Sequence, residues 1–210
     1  MNHRQHFRNC GMGIVVVTLC SVFNSWGQNT LSLNLGQATT TISKMLYGAL
    51  FENWGRDIYN GLYVGTASTI PNTNGMRNDV IAALAEAGVT SLDWPGGCFA
   101  EQYVWTDGIG PKASRPGGDM TNGFGTAEYF QLCQLLGITP YITADITSTT
   151  PAVMTAWLNH IDSTPEWSNS LKYWKMGNEI WGGCGTTHTA TYYTNRYDQY
   201  KAAIPAKFSG

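Results

Sequence analysis

Repeated alternation of a short apolar strand with a helix predicts an α/β fold of the (β/α)8 TIM-barrel type, with only about the first four β/α units present in this 210-residue chain. Three observations carry that prediction. Apolar segments too short for helices alternate with segments of helical periodicity. Each apolar segment ends in a polar or acidic residue with a long loop after it, whereas the connections on the other side, Ala87-Gly88 and Gly137, are short. No Gly-x-Gly-x-x-Gly follows the first apolar segment, so an open doubly wound sheet that binds a dinucleotide lacks its fingerprint.

Taken in order, the chain opens with a segment that has its own logic. Met1 to Gly13 carries Arg4 and Arg8 and no acid, Ile14 to Phe23 is apolar, and Ser25-Trp26-Gly27 offers small residues at the −3 and −1 positions of a cleavage site. The apolar run is too short to span a bilayer as a mature helix. Residues 1–27 are therefore expected to be a signal peptide, giving a secreted or periplasmic protein with no membrane attachment after its removal. Leu19 before Cys20 is bulkier than a lipoprotein signal tolerates, which makes lipidation the lesser expectation. In residues 28–43, Leu31, Leu33 and Leu35 alternate with polar residues and predict a strand segment outside the main body.

Residues 44–210 carry the repeat. Met45 to Phe51 reads as the first strand and ends at Glu52. Met76, Val80, Ile81, Leu84 and Ala85 fall at helical spacing, and Gly88 stops that helix. Val89 to Leu92 is the second strand, opening into Asp93-Trp94-Pro95-Gly96-Gly97. A long loop with Trp105 and Asp107 leads to a second helix, Thr126 to Leu136, whose stripe is Tyr129, Leu132, Cys133 and Leu136 and whose stop is Gly137. Ile138 to Asp145 is the third strand. Thr150 and Pro151 supply an N-cap and an N1 proline for a third helix through Val153, Met154, Trp157 and Leu158. Leu171 to Gly177 is the fourth strand, and Thr189 to Ala203 can form a fourth helix. A closed barrel needs eight units and about 250 residues. Four units leave strand edges unpaired, so the expectation is the N-terminal half of a barrel belonging to a longer enzyme.

Composition narrows the function. A formal charge of −2 gives no footprint for nucleic acid or an anionic membrane. Eight tryptophans and eleven tyrosines against 12% charged residues suit a protein that stacks aromatic rings on sugars, although most of those rings must fill the core. The first functional candidate is Glu179. A carboxylate where a buried strand opens into Gly177-Asn178-Glu179 and a glycine-rich loop sits at a barrel rim, and an apolar rim raises a carboxyl pKa so that the group can act as a general acid. Asn178 beside it can meet a substrate hydroxyl. Beyond the signal segment Cys98, Cys133 and Cys184 remain; Cys133 lies on an apolar helical face, and Cys98 and Cys184, both in glycine-rich loops after strands, form the candidate disulfide. Glu86 and Glu128 are expected to face solvent from helices, while Glu101 stays open. His160 and His188 show no ligand spacing, so neither a metal nor another cofactor is expected.

The motifs Tyr47-Gly-Ala-Leu-Phe-Glu52-Asn-Trp-Gly-Arg-Asp-Ile-Tyr59, Gly75 to Val80, Trp94-Pro-Gly-Gly-Cys-Phe99, Tyr103-Val-Trp105, Asp107 to Pro111, Arg115-Pro116 and Trp174 to Gly182, in this order, resemble glycoside hydrolase family 51, the retaining α-L-arabinofuranosidases. The resemblance runs from about Met45 to Tyr200. It implies that Glu179 is the general acid/base and that Asn178 contacts the arabinose 2-hydroxyl. It further implies that Glu52 binds furanose hydroxyls, that Cys98 lies in the same pocket, and that the nucleophile is a second glutamate at strand seven, beyond this chain. The implied substrate is an arabinoxylan- or arabinan-type polysaccharide or oligosaccharide, and the family's architecture suggests a β-sandwich completed elsewhere for residues 28–43. The sequence departs from the family at Asp93, where arginine is usual, at Asn53, where histidine is common, and at Asp145, where asparagine is common. Asp93 and Asp145 add potential negative charge to the rim. With Trp105, these residues complete the candidate substrate-binding set. Two alternatives remain: an endo-acting β-glucanase or xylanase of the same clan, and a non-catalytic carbohydrate-binding relic.

Overall fold

The structure is a computed structural model that describes residues 31–37, 40–184 and 187–209. The proposed signal peptide lies outside the described residues. The chain divides into two units, Met1–Thr41 and Ile42–Gly210. In the first, the described residues form no strand: the one element is a 3-10 turn, Leu35–Gln37, and Leu31 and Leu33 are exposed. Alternating leucines make a strand only where a neighbouring strand takes their backbone groups, and none does so among these residues.

The second unit begins with a 3-10 turn, Lys44–Tyr47, and a strand of two residues, β1 (Ala49–Leu50), in place of the longer strand expected over Met45–Phe51. There follow α1 (Gly55–Ile58), the hairpin β2 (Asn72–Thr73) and β3 (Met76–Arg77), α2 (Asn78–Glu86) and β4 (Ser91–Trp94). Met76, expected on the helix, belongs to the hairpin, because Asn72 to Gly75 close a turn with Asn74 and Gly75 at positive φ. After β4 come three 3-10 turns, α3 (Asp119–Asn122), α4 (Thr126–Leu136), β5 (Thr139–Ala144), α5 (Pro151–Asp162), α6 (Pro165–Ser170), β6 (Tyr173–Met176) and α7 (Ala190–Ala202). α4 has the bounds expected from its stripe, and Gly137 ends it in the left-handed region at φ 66°.

Strands β1, β4, β5 and β6 form one parallel sheet in that order. The order follows the chain without the reversal that marks a doubly wound sheet. Strand alternation sends Leu92, Trp94, Ile142 and Met176 to the face covered by helices. Trp94 is the centre of that layer: it stacks on Tyr129 at 4.8 Å and meets Tyr103, Phe124 and Trp157 edge-on. The register puts Leu50, Asp93, Tyr141 and Tyr173 in one row across the other face, with Thr143 and Lys175 one level nearer the strand C-termini. Leu50 and Tyr173 there are exposed.

Pro140 sits inside β5, a central strand, where it cannot donate to the ladder. Tyr129 repairs the gap. Its hydroxyl accepts from the Tyr141 N–H at 2.7 Å and donates to the Leu92 carbonyl at 2.6 Å, bridging β4 and β5.

Glu128, expected to face solvent, is buried. The loop after β4 folds back over α4, and Arg115 pairs with both Glu128 oxygens at 3.1 and 3.2 Å. The same carboxylate accepts the Gly125 N–H at 2.9 Å, capping α4. Arg115 also donates to the carbonyls of Gly110, Asn122 and Gly123, so one buried ion pair holds the long loop. Among the described residues no helix is long and apolar enough to cross a membrane.

Candidate active site

The polar residues singled out in the sequence gather at the C-terminal ends of the four parallel strands. After β1, Glu52 is half-buried and its Oε1 accepts the Phe99 N–H at 2.8 Å. Two glycines after β4 make room for it. A Cβ on Gly97 would stand 2.7 Å from the Glu52 carboxyl carbon, and one on Gly96, at φ 81°, would stand 2.6 Å from the Glu52 nitrogen. The Trp94–Pro95 peptide is cis, and the Pro95 carbonyl accepts from Asn53 N at 2.7 Å, which draws the β1 and β4 loops together.

At β6 the chain turns through Gly177, at φ 77°, into Asn178 and Glu179. Glu101 organises this turn. Its Oε1 accepts the Asn178 N–H at 2.6 Å, and its Oε2 accepts the N–H groups of Ile146 and Thr147 at 3.1 Å and the Thr147 hydroxyl at 2.7 Å. Burial pushes the Glu101 carboxyl above the usual glutamate range and the neighbouring Asp145 acts in the same direction, while the Thr147 and Asn178 donors pull it back.

Asp93 is buried on the row facing away from the helices. Its Oδ1 accepts from the Thr143 hydroxyl, and its Oδ2 pairs with Lys175 Nζ at 2.9 Å. The same Nζ donates to Asn178 Oδ1 at 2.8 Å. The excess negative charge expected from Asp93 is therefore balanced by a cation two strands away. Asp145 is likewise occupied. It accepts the N–H groups of Thr147 and Ser148 at 2.9 and 2.8 Å and the Ser148 hydroxyl, and so closes the loop before α5 rather than facing an open cleft.

Cys98 and Cys184 are joined by a disulfide, with their Cα atoms 5.0 Å apart, tying the loop after β4 to the loop after β6. Cys133 is a buried free thiol whose pKa burial pushes up to about 12. A Glu179 oxygen and the two bridged sulfurs lie within 4.8 Å of one another. With the sulfurs bonded to each other, they are not a set of metal ligands. Glu179 has a left-handed φ of 46° and is exposed, in contrast to the apolar rim expected around it. A non-glycine residue held in that region carries strain of a kind that clusters at functional sites.

A cavity of about 610 Å³ opens beside this turn, lined by Lys175, Asn178, Glu179, Trp181, His188 and Tyr193 among others. Trp181 offers an indole that is 68% exposed. A slightly larger hollow of about 650 Å³ at the other end of β6, around Leu171, Tyr173 and Phe208, has no carboxylate in its lining and so no acid for catalysis. Trp105 is not among the residues lining the cavity beside Glu179. Its ring is stacked parallel to Trp157 at 6.3 Å and lies 5.3 Å from His160.

Sequence reasoning missed Lys175 as a site residue and left Glu101 undecided. Lys175 left no local signal, because its partner Asp93 lies 82 residues away. The same holds for Glu101, whose partners lie 45 to 77 residues away.

The chain is similar to known proteins in sequence and in fold. A family model described as the Alpha-L-arabinofuranosidase 1 domain matches residues 83–161. An intracellular exo-alpha-L-arabinofuranosidase of Bacteroides ovatus is 39% identical over 194 residues, covering 81% of this chain and 37% of that protein. A probable alpha-L-arabinofuranosidase C of Aspergillus fumigatus is 33% identical over 173 residues, 73% of this chain and 34% of its own. The crystal structure of the GH51 arabinofuranosidase from Xanthomonas axonopodis pv. citri superposes with a TM-score of 0.73 at 34% identity, covering 82% of this chain and 39% of that one. The chain thus spans little more than a third of the length of these relatives.

Proposed function

From the premise that this chain corresponds to the N-terminal region of the glycoside hydrolase family 51 α-L-arabinofuranosidases, we propose that it contributes the acid/base half of a retaining active site. That site releases terminal α-L-arabinofuranosyl groups from arabinoxylan- or arabinan-type chains. The observation that carries the reading is the location of Glu52, Asn178 and Glu179 at the C-terminal ends of parallel strands, with Asn178 and Glu179 lining one cavity. The sheet supplies four strands of a (β/α)8 barrel.

Retaining hydrolysis needs two carboxyl groups about 5–5.5 Å apart. Glu179 donates its proton to the glycosidic oxygen as the bond to the leaving group breaks and a carboxylate attacks the anomeric carbon. As carboxylate, Glu179 then takes a proton from the water that displaces the enzyme from that carbon. Glu52 and Asn178 hold furanose hydroxyls, and Trp181 offers a stacking surface. By the family 51 resemblance the nucleophile is a second glutamate at the end of a seventh strand; in this chain Glu52 keeps one oxygen on the Phe99 N–H and Glu101 is buried among four donors. Substrate and the remaining strands supply the desolvation that an exposed Glu179 needs to act as an acid. The signal-like Met1–Gly27 and the Cys98–Cys184 bridge support an oxidising compartment outside the cytoplasm.

The test is release of nitrophenol from an aryl α-L-arabinofuranoside by the active enzyme that carries this chain. Glu179→Ala is expected to lower kcat about 10²- to 10⁴-fold, and azide is expected to restore part of it by trapping the glycosyl-enzyme without needing the base. Undiminished hydrolysis in Glu179→Ala would overturn the assignment.

A further inference from the structure

We propose that Lys175 is a positioning residue that sets the orientation of the Asn178 carboxamide, so that Asn178 presents its NH2 group, and not its oxygen, to a substrate hydroxyl. The inference rests on the family 51 reading for the role of Asn178. A lysine ammonium has three donors and no acceptor. The Asn178 atom 2.8 Å from Lys175 Nζ must therefore be the oxygen, and the NH2 is directed elsewhere, where it lies 3.4 Å from Cys184 Sγ. Lys175 is itself held from its far side. Asp93 Oδ2 accepts from it at 2.9 Å, and Thr143 donates to the other Asp93 oxygen. Three strands of the sheet thus converge on one amide: β4 through Asp93, β5 through Thr143 and β6 through Lys175. Glu101 fixes the same residue at its backbone N–H. With backbone and side chain both held, Asn178 is pre-organised, which matters because hydrogen bonds to the sugar 2-hydroxyl strengthen in the transition state.

Three variants and two readouts test this. Lys175→Met keeps the stem and removes the donor. In the active enzyme it is expected to lower kcat/KM for an aryl α-L-arabinofuranoside about 10- to 100-fold, the range for losing a hydrogen bond to a charged group. The fall should lie more in kcat than in KM. Lys175→Arg, which keeps a cation and donors, should recover most of that loss. Adding Asn178→Ala to Lys175→Met should cost less than about three-fold more, since both changes remove the same oriented group. Losses that multiply, or a Lys175→Met effect confined to thermal stability, would overturn the inference. The second readout does not need turnover. In ¹⁵N-labelled protein the Asn178 side-chain amide resonance should shift, and its exchange with water should quicken about ten-fold or more, in Lys175→Met but not in Lys175→Arg. An unchanged resonance overturns the inference even in a preparation without activity, whereas absent hydrolysis with the resonance shifted counts against the arabinofuranosidase reading alone.

Discussion

Glu101 stands where two strand ends would otherwise leave the N–H groups of Ile146 and Asn178 without acceptors, and it shares the Thr147 N–H with Asp145. A carboxylate satisfies all of them at once, and the Thr147 hydroxyl as well. Glu101→Gln replaces one acceptor oxygen with a donor aimed at N–H groups. It is expected to destabilise the protein by about 2–4 kcal/mol, seen as a lower urea midpoint with an unchanged slope. His160 provides a pH-dependent case. Packed near Trp105 and Trp167, it is held below the ordinary histidine pKa of about 6.5 by burial. The unfolded chain therefore takes up a proton at a higher pH than the folded one. This contribution to stability is intact above the unfolded pKa and is lost as pH falls toward the folded pKa. Wild type should lose more melting temperature between pH 7.5 and pH 5 than His160→Phe; parallel curves would contradict this.

Among the elements, α4 shows how one helix can serve several others. Its start is capped by Glu128, its stop is Gly137, and its Tyr129 repairs the β4–β5 ladder at Pro140. Tyr129→Phe keeps the ring against Trp94 but leaves the Leu92 carbonyl and the Tyr141 N–H without their bridge. A loss of about 1–3 kcal/mol is expected in chemical denaturation. Gly137→Ala meets open space, so its cost is backbone strain alone, about 1–2 kcal/mol. The glycines after β4 behave differently, because a side chain there would strike Glu52 itself. Gly97→Ala is accordingly a change to the site as well as to the loop.

For the whole molecule, the long-range tie is Cys98–Cys184, whose sequence separation is 86. Cross-linking so distant a pair restricts the unfolded chain, and its removal in Cys98→Ala/Cys184→Ala is expected to cost about 2–5 kcal/mol. Equal denaturation midpoints for the parent and the double variant would show that the bridge contributes nothing. The sheet is covered by helices on one face, while the other carries Asp93, Thr143 and Lys175 beside the exposed Leu50 and Tyr173.

Much of the fold could be read without coordinates, because it rests on local periodicity. The stripe of Tyr129, Leu132, Cys133 and Leu136 with Gly137 behind it specifies α4 residue by residue, and Thr150-Pro151 marks the start of α5 in the same way. The four parallel strands and the placing of Glu52 and Glu179 at strand ends followed from apolar runs that stop at acids. Local pattern failed where partners decide. Leu31 and Leu33 alternate like a strand but have no neighbouring strand among the described residues, and Met76 keeps helical spacing yet belongs to a hairpin. Glu128 looked solvated until a distant loop brought Arg115 onto it. Asp93 looked like a bare charge until β6, two strands away, supplied Lys175. Sequence alone determined which residues could form helices, strands and turns, and which acid ends the last strand, because those choices depend on neighbours within a few positions. Only the tertiary structure decided which charges are balanced and which way Asn178 points, because those interactions join residues that folding, and not the chain, makes adjacent.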